Sequence, residues 1–450
     1  MKKIHIKSFL CVLGFTGLLV SCNDDLDIIP KNQVQTDLAL QTSADVEAAT
    51  VGAYDAISDG DLYGGNLLFL PDLLADAGDI LWQGTYQQPG EIYDKRTLAN
   101  NSYVAGTWLD AYRAINVANT VLANLDKVDA GKQNRIQGEA KFIRAAMYFE
   151  LVKLYAKPWV EGNPATNPGV PLVLTPTGVV TAENRVSRNT VAEVYAQVLA
   201  DLTDAEALLP SSNGFFATKW TAAAMLSRVY LQQEKFEEAG KAADRVIQSG
   251  VYRLQDSYAD AFNQGSNVTE YIFAIQVTTQ DGVNDLNTFY AENQRGDVLI
   301  NEQLFNQYEE GDERKLFSME KFDEEETIYS TKYDNQYGVI PILRLAEMYL
   351  TRAEANYRLT DSGVAGIGGV TPEQDINVIR NRAGLGNIAT VTLNDILKER
   401  KLELMLEGQL LHDLKRTRRS VGDIPFNANN LIYPIPQREI DANPNLTQNN

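Results

Sequence analysis

Leu226-Ser227-Arg228-Val229-Tyr230-Leu231-Gln232-Gln233-Glu234-Lys235-Phe236-Glu237-Glu238-Ala239-Gly240-Lys241-Ala242-Ala243 is the stretch that decides the architecture. Leu226, Tyr230 and Phe236 are large and suit the space between two helices. Ala239 and Ala243 are small and let the second helix approach closely. Outward from this pair the helical period persists. Ile136, Ala140, Ile143, Met147, Leu151 and Leu154 recur at gaps of three and four, the apolar stripe of one long helix. Ile342, Leu345, Ala346, Tyr349, Ala353 and Tyr357 predict a second stripe, and Leu393, Ile396, Leu397, Leu404, Leu411 and Leu414 a third.

The spacing of the opening stretch resembles the second half of a tetratricopeptide (TPR) unit. Trp108–Lys127 with Lys132–Lys157, and Ile342–Leu359 with Thr371–Ala383, read as looser helix pairs. Thr190-Val191-Ala192-Glu193 and Thr392-Leu393-Asn394-Asp395 are capping boxes, and Thr371-Pro372-Glu373-Gln374 places proline at the first helical position. The prolines of Pro158 to Asn184 demand an extended or turned segment. Thr269–Val277 predicts a single short strand. Gly311–Tyr337 reads as a charged, aromatic connection, with Asp323-Glu324-Glu325-Glu326 as a solvated turn.

The chain has 450 residues with 44% hydrophobic content, enough for a substantial core. Its formal net charge of −20 disfavours nucleic acid as a partner, since a polyanion gains nothing from such a surface. Met1 to Lys7 carries Lys2, Lys3 and Lys7, and a short apolar run ends at Leu19-Val20-Ser21-Cys22. These are the proportions of an export signal, too short to span a bilayer. The two cysteines are Cys11 and Cys22, and the two histidines are His5 and His412. With Cys11 and His5 inside the signal, neither a Cys-His catalytic pair nor a His/Cys zinc site is expected. His412, in Leu410-Leu411-His412-Asp413-Leu414, is expected to pack within a helix.

Several motifs occur in a telling order. Leu19-Val20-Ser21-Cys22 resembles a bacterial lipobox. Arg144-Ala145-Ala146-Met147-Tyr148-Phe149-Glu150-Leu151-Val152 precedes a proline-rich turn ending Val170-Pro171-Leu172-Val173. Leu343-Arg344-Leu345-Ala346-Glu347-Met348-Tyr349-Leu350, Ile376-Asn377-Val378-Ile379-Arg380-Asn381-Arg382-Ala383-Gly384 and Glu399-Arg400-Lys401-Leu402-Glu403-Leu404 follow. The chain closes on Tyr433-Pro434-Ile435-Pro436-Gln437-Arg438-Glu439-Ile440-Asp441-Ala442-Asn443-Pro444-Asn445-Leu446-Thr447-Gln448-Asn449. Together they resemble the SusD/RagB family of nutrient-binding outer-membrane lipoproteins of Bacteroidetes. Glu407-Gly408-Gln409-Leu410-Leu411-His412-Asp413-Leu414 departs from the family pattern, lacking an arginine after Glu-Gly and an aromatic before Asp-Leu.

The resemblance implies a mainly α fold: a TPR-like right-handed helical scaffold with long irregular loops and a few short strands. It implies a signal peptide over 1–21, a flexible lipid-anchored tether over 22–41, and a single α-helical domain over 42–450. Cys22 would carry the lipid, at the outer membrane and facing the cell exterior; Asn23-Asp24-Asp25 resembles an acidic surface-export signal. The implied partner is a SusC-like TonB-dependent barrel, on which the protein would sit as a lid, with an oligosaccharide as cargo. A peptide cargo, as in RagB-like proteins, is the alternative; a carboxylate-dependent glycoside hydrolase and a TPR-like adaptor are further rivals.

No cofactor and no metal are expected. Glu399, Glu403 and Glu407 are spaced for salt bridges on one helix rather than for glycosidase chemistry. Asp72, Asp76 and Asp79 lack the alternating oxygen ligands of a calcium loop. A sugar presents an apolar C–H face and a hydroxyl rim, so its site should combine aromatic planes with polar side chains. Trp82, Gln83 and Tyr86, expected to follow a helical Asp72–Ile80 stretch, offer that mix. Phe289, Tyr290, Asn293 and Arg295, expected in a long loop, offer it again. Trp82 and Phe289 can alternatively plug a loop onto the core. Tyr63 and Tyr333 are secondary candidates.

Overall fold

The computed structural model describes residues 40–178, 181–322, 325–360 and 366–449. Cys22, the expected signal and nearly all of the expected tether lie outside the described residues. The first elements are α1 (Ser43–Ile57), α2 (Asn66–Ala75), β1 (Ile80–Trp82), α3 (Gln87–Tyr93), α4 (Ser102–Ala123) and α5 (Gln133–Tyr155). Next come α6 (Val191–Leu208), α7 (Lys219–Gln232), α8 (Phe236–Gln248), β2 (Tyr271–Ile275), α9 (Asp285–Tyr290), β3 (Val298–Ile300) and α10 (Glu302–Phe305). The chain continues through β4 (Phe317–Phe322), β5 (Glu325–Ser330), β6 (Ile340–Arg344), α11 (Leu345–Leu359), α12 (Pro372–Arg382), α13 (Leu393–Glu403), α14 (Leu410–Arg416) and α15 (Gln437–Ala442).

The scaffold is the mainly α, TPR-like one that the periodicity and the family resemblance imply. Each long helix packs on the next: α1 on α4, α4 on α5, α5 on α6, α6 on α7, α7 on α8, α8 on α11 and α11 on α12. Such nearest-neighbour stacking lets helix pairs bury one continuous core. The small residues of α8 act as expected. Ala239, Ala242 and Ala243 are fully buried, and a Cβ added at Gly240 would lie 2.8 Å from that of Ala355 on α11. The capping boxes at Thr190 and Thr392 form as read, and Thr371 ahead of Pro372 makes a third, each hydroxyl accepting from the N3 amide while the N3 side chain accepts in return.

Three expectations are corrected. Ile342 belongs to β6, not to the helix that begins at Leu345, because β6 pairs with β2 through Ala274–Pro341 and Ile275–Ile340. The third stripe is two helices: the chain turns after Glu403, with Leu406 and Gly408 at positive φ. Gly408 is required there, since a Cβ would sit 2.7 Å from the Leu68 Cα on α2. The Gly311–Tyr337 connection contains the antiparallel hairpin β4–β5, with Glu325 and Glu326 in β5; Asp323 and Glu324 lie outside the described residues. The strand expected within Thr269–Val277 is β2. Among the described residues the strands form three two-stranded sheets: β1–β3, β2–β6 and β4–β5.

The family motifs converge inside. Arg344, with no exposed side-chain surface, donates to Glu270 (2.6 Å), Glu403 (3.0 Å) and Glu407 (2.7 Å). Arg382 donates to Glu270 and Glu403, and Lys332 Nζ to Glu407 at 2.7 Å. Glu399 accepts from Arg314 and Arg380, both at 2.7 Å. Glu347 accepts from Arg228 (2.8 Å) and Arg400 (3.1 Å); burial opposes its ionisation, yet the two guanidiniums hold it down at about 2. Salt bridging at Glu399, Glu403 and Glu407 is therefore borne out, but the partners arrive from distant segments rather than from their own helix.

The C-terminal signature is equally structural. Tyr433 N–H donates to the Leu154 carbonyl (2.9 Å), Gln448 bonds both backbone groups of Ile435 (2.7 Å each), and Asn449 Nδ2 donates to the carbonyls of Tyr155 and Tyr433. These side chains satisfy buried backbone that has no helix or sheet to pair with.

Candidate functional site

β1 and β3 lie more than two hundred residues apart in sequence and pair in antiparallel register, Ile80 with Ile300, Leu81 with Leu299 and Trp82 with Val298. The ladder continues one step as Gln83 N–H donates to the Asp297 carbonyl (2.8 Å), and Gln83 Nε2 reaches the Gly296 carbonyl (3.2 Å). This short ribbon joins the two aromatic segments singled out separately in the sequence.

The aromatic residues separate into a buried layer and a surface layer. Phe69 of α2 stacks on Phe289 with centroids 4.2 Å apart and planes 1° from parallel, and Tyr290 meets Phe69 edge-on at 5.9 Å. Trp82 leans on both Phe69 (6.0 Å) and Phe289 (6.2 Å), and Tyr86 on Phe289 (6.4 Å). Trp82 is half-buried and Tyr86 is 42% exposed. These two bound a cleft of about 500 Å³ with Thr85, Gln87, Glu91 and Leu98, of the size and mixed chemistry of a small-ligand site. The ring of Trp82 is held in place by glycine: a Cβ at Gly84 would fall 2.3 Å from its Cζ2.

Phe289 and Tyr290 are corrected as ligand contacts. They are not in a loop but at the end of α9, and their side chains are 3% and 0% exposed. Tyr290 donates its hydroxyl to Asp72 (3.2 Å), which also accepts from the Gly408 N–H (3.2 Å). Phe289 is flooring beneath Trp82 and Tyr86, and Tyr290 packs behind it on Phe69 and Tyr333. Asn293 and Arg295 are exposed beyond that floor. Arg295 lies over the Tyr86 ring at 4.0 Å and is aligned by Asp297 (2.7 Å), so one face of Tyr86 is covered. Tyr63 and Tyr333 are buried too, bonded to Glu150 and to the Leu406 carbonyl.

The remaining polar candidates resolve into structure. Asp72–Ile80 is helical only to Ala75. Asp76 then accepts from the N–H groups of Gly78, Asp79 and Ile80, turning the chain into β1. Asp79 pairs with Lys401 at 2.6 Å. His412 is 3% exposed; burial, with Lys153, Lys415 and Arg228 near, holds it well below its ordinary range and neutral. Asp59, Asp61 and Asp110 bring one carboxylate oxygen each to within 4.8 Å of the others, a grouping that could hold a metal ion. Burial, then Asp59 and Asp110, push Asp61 up to about 7. Asp61 also accepts from Asn66 (2.7 Å). Burial, then Asp285, Tyr86 and Asp61, raise Tyr103 to about 12.

The periodicity reading missed Gln87, Glu91 and Leu98, which share the cleft because α3 folds back over β1; no motif marks them. A second groove of about 450 Å³ lies along α4 beside Trp108 and Tyr112. There Tyr112 donates to the Pro171 carbonyl (2.7 Å) and Asn119 to that of Val173 (2.8 Å).

Residues 26–231 match the SusD-like family described as "Starch-binding associating with outer membrane", and residues 218–423 match the SusD family. This chain belongs to the SusD/RagB family. SusD-like protein P2 of Formosa agariphila is 26% identical over 100% of this chain and 99% of that protein. The starch-binding protein SusD of Bacteroides thetaiotaomicron is 36% identical over 24% of this chain and 21% of its own length. Among solved structures, a SusD superfamily protein of B. thetaiotaomicron superposes with a TM-score of 0.81 at 26% identity, covering 91% of this chain and all of that one.

Proposed function

We propose that this SusD-family protein is a glycan-binding lipoprotein of the outer membrane that captures oligosaccharides and hands them to a SusC-like TonB-dependent barrel, acting as its lid. The family description supports carbohydrate binding and association with the outer membrane. The observation that carries the reading is the cleft itself. Trp82 and Tyr86 offer aromatic planes braced from below by Phe69 and Phe289, with the polar groups of Thr85, Gln87 and Glu91 around them. Aromatic planes suit the C–H face of a sugar, and rim amides and carboxylates suit its hydroxyls. Asn293 and Arg295 extend the polar rim. In this proposal residues 1–21 are the signal, Cys22 bears the lipid, 22–41 form the tether and 42–450 the binding domain.

The protein is proposed to bind without turnover. Glu399, Glu403 and Glu407 are all committed to buried ion pairs, which supports that reading. The hydrolase rival would have to use the carboxylates that line the cleft, Glu91 and Asp94. Incubating the protein with a glycan panel separates the readings. Saturable binding with intact products is expected; shortened products abolished by Glu91→Gln would establish an enzyme, and binding confined to peptides would establish the RagB-like alternative.

A further inference from the structure

We infer that the cleft selects uncharged glycans and discriminates against sulfated or uronate-bearing ones. The inference rests on the proposed role of the Trp82–Tyr86 cleft and adds the ligand's charge class. The lining carries two carboxylates, Glu91 and Asp94, and one cation, Arg96. Arg96 is already paired with Asp94. Arg295, on the far face of Tyr86, is taken by Asp297 through Nε at 2.7 Å and by Thr85. An anionic group on the ligand would therefore meet arginines whose charge Asp94 and Asp297 already offset.

Glu91 is fixed in place as an acceptor. One oxygen accepts from Gln87 Nε2 (2.9 Å) and the other from Asn101 Nδ2 (2.9 Å), and Asn101 caps α4. A carboxylate has about four lone-pair positions, so Glu91 keeps capacity for sugar hydroxyls, which donate well to ionised oxygens. A sulfate or uronate offers acceptors only and meets like charge. The chain's formal charge of −20 extends this bias outward, slowing the approach of polyanions at low salt.

The test is titration of the full chain with matched pairs: neutral gluco-, galacto-, manno- and xylo-oligosaccharides, each beside its sulfated or uronate counterpart, at low and at high salt. One unit charge some 7 Å from another in water changes binding about threefold. A ligand with several charges should therefore bind roughly tenfold or more weakly than its neutral parent at low salt, with the gap narrowing at high salt. Asp94→Lys, on an exposed carboxylate at the end of α3, should improve anionic ligands by about fivefold or more relative to neutral ones. Equal or tighter binding of the charged member, or a ratio unmoved by Asp94→Lys, overturns the inference while leaving glycan binding intact. Binding of no glycan overturns the proposed function, and the charge selectivity with it.

Discussion

Replacing Arg344 by methionine should unfold this protein more readily than any change in its ligand cleft. The guanidinium is fully buried and donates to three carboxylates and to the Glu403 carbonyl (3.0 Å). Without it, Glu270, Glu403 and Glu407 face only Arg382 and Lys332, so one buried negative charge is left without a partner. Removing one partner of a buried ion pair costs about 3–5 kcal/mol, because the remaining charge stays out of water. Native domains commonly hold only about 5–15 kcal/mol in total. At a urea dependence of roughly 3 kcal/mol per molar or more, the midpoint should fall by about 1 M. Circular dichroism during urea unfolding measures this. Arg344→Met/Glu407→Gln, which removes the excess charge, should recover part of the loss. Whatever fraction of Arg344→Met remains folded should bind glycan normally, since the network does not touch the cleft. A loss under about 1 kcal/mol with unchanged slope, or no recovery in the double variant, would refute the claim that these motifs stabilise through charge balance.

The other expectations concern the cleft, the anchor and pH. Trp82→Ala and Tyr86→Ala should each weaken glycan affinity about tenfold in calorimetric titration, the scale of losing one aromatic contact at a binding site; unchanged affinity in both would place the site elsewhere. Tyr290→Phe should leave affinity within about twofold while lowering stability by about 1–2 kcal/mol, as it removes a hydrogen bond to Asp72 under the floor. Cys22→Ser should release the protein from the membrane fraction, and retention would remove the lipid anchor from the proposal. Burial raises Asp72 to about 7, Glu407 reinforcing it, although Gly408 and Tyr290 donate to it and Lys332 opposes. Unfolded, the carboxyl titrates near 4, so between about pH 4 and 7 the folded state holds a proton that the unfolded state has lost. Asp72 therefore makes unfolding easier as pH rises through that window, by roughly 1.4 kcal/mol per unit, and adds no further change above it. Asp72→Asn should flatten that part of the stability–pH curve measured by urea midpoints.

The amino-acid sequence by itself determined the helical scaffold. Stripes such as Ile136–Leu154 and boxes such as Thr190–Glu193 act within a few residues, where spacing on one helix is set by backbone geometry alone. It also marked the two aromatic segments of the cleft, because sugar-like chemistry needs recognisable residue types. Tertiary structure alone decided what those residues do. Trp82 and Tyr290 look alike on paper, yet pairing of β1 with β3 brings their segments together, leaving Trp82 at the rim and Tyr290 sealed beneath it. Likewise Glu403 and Glu407 suggest a helical ladder, but the helix ends at Glu403 and both meet Arg344 on another element. Burial and ion pairing depend on contacts between segments far apart in the chain, and the local pattern carries no record of which segments will meet.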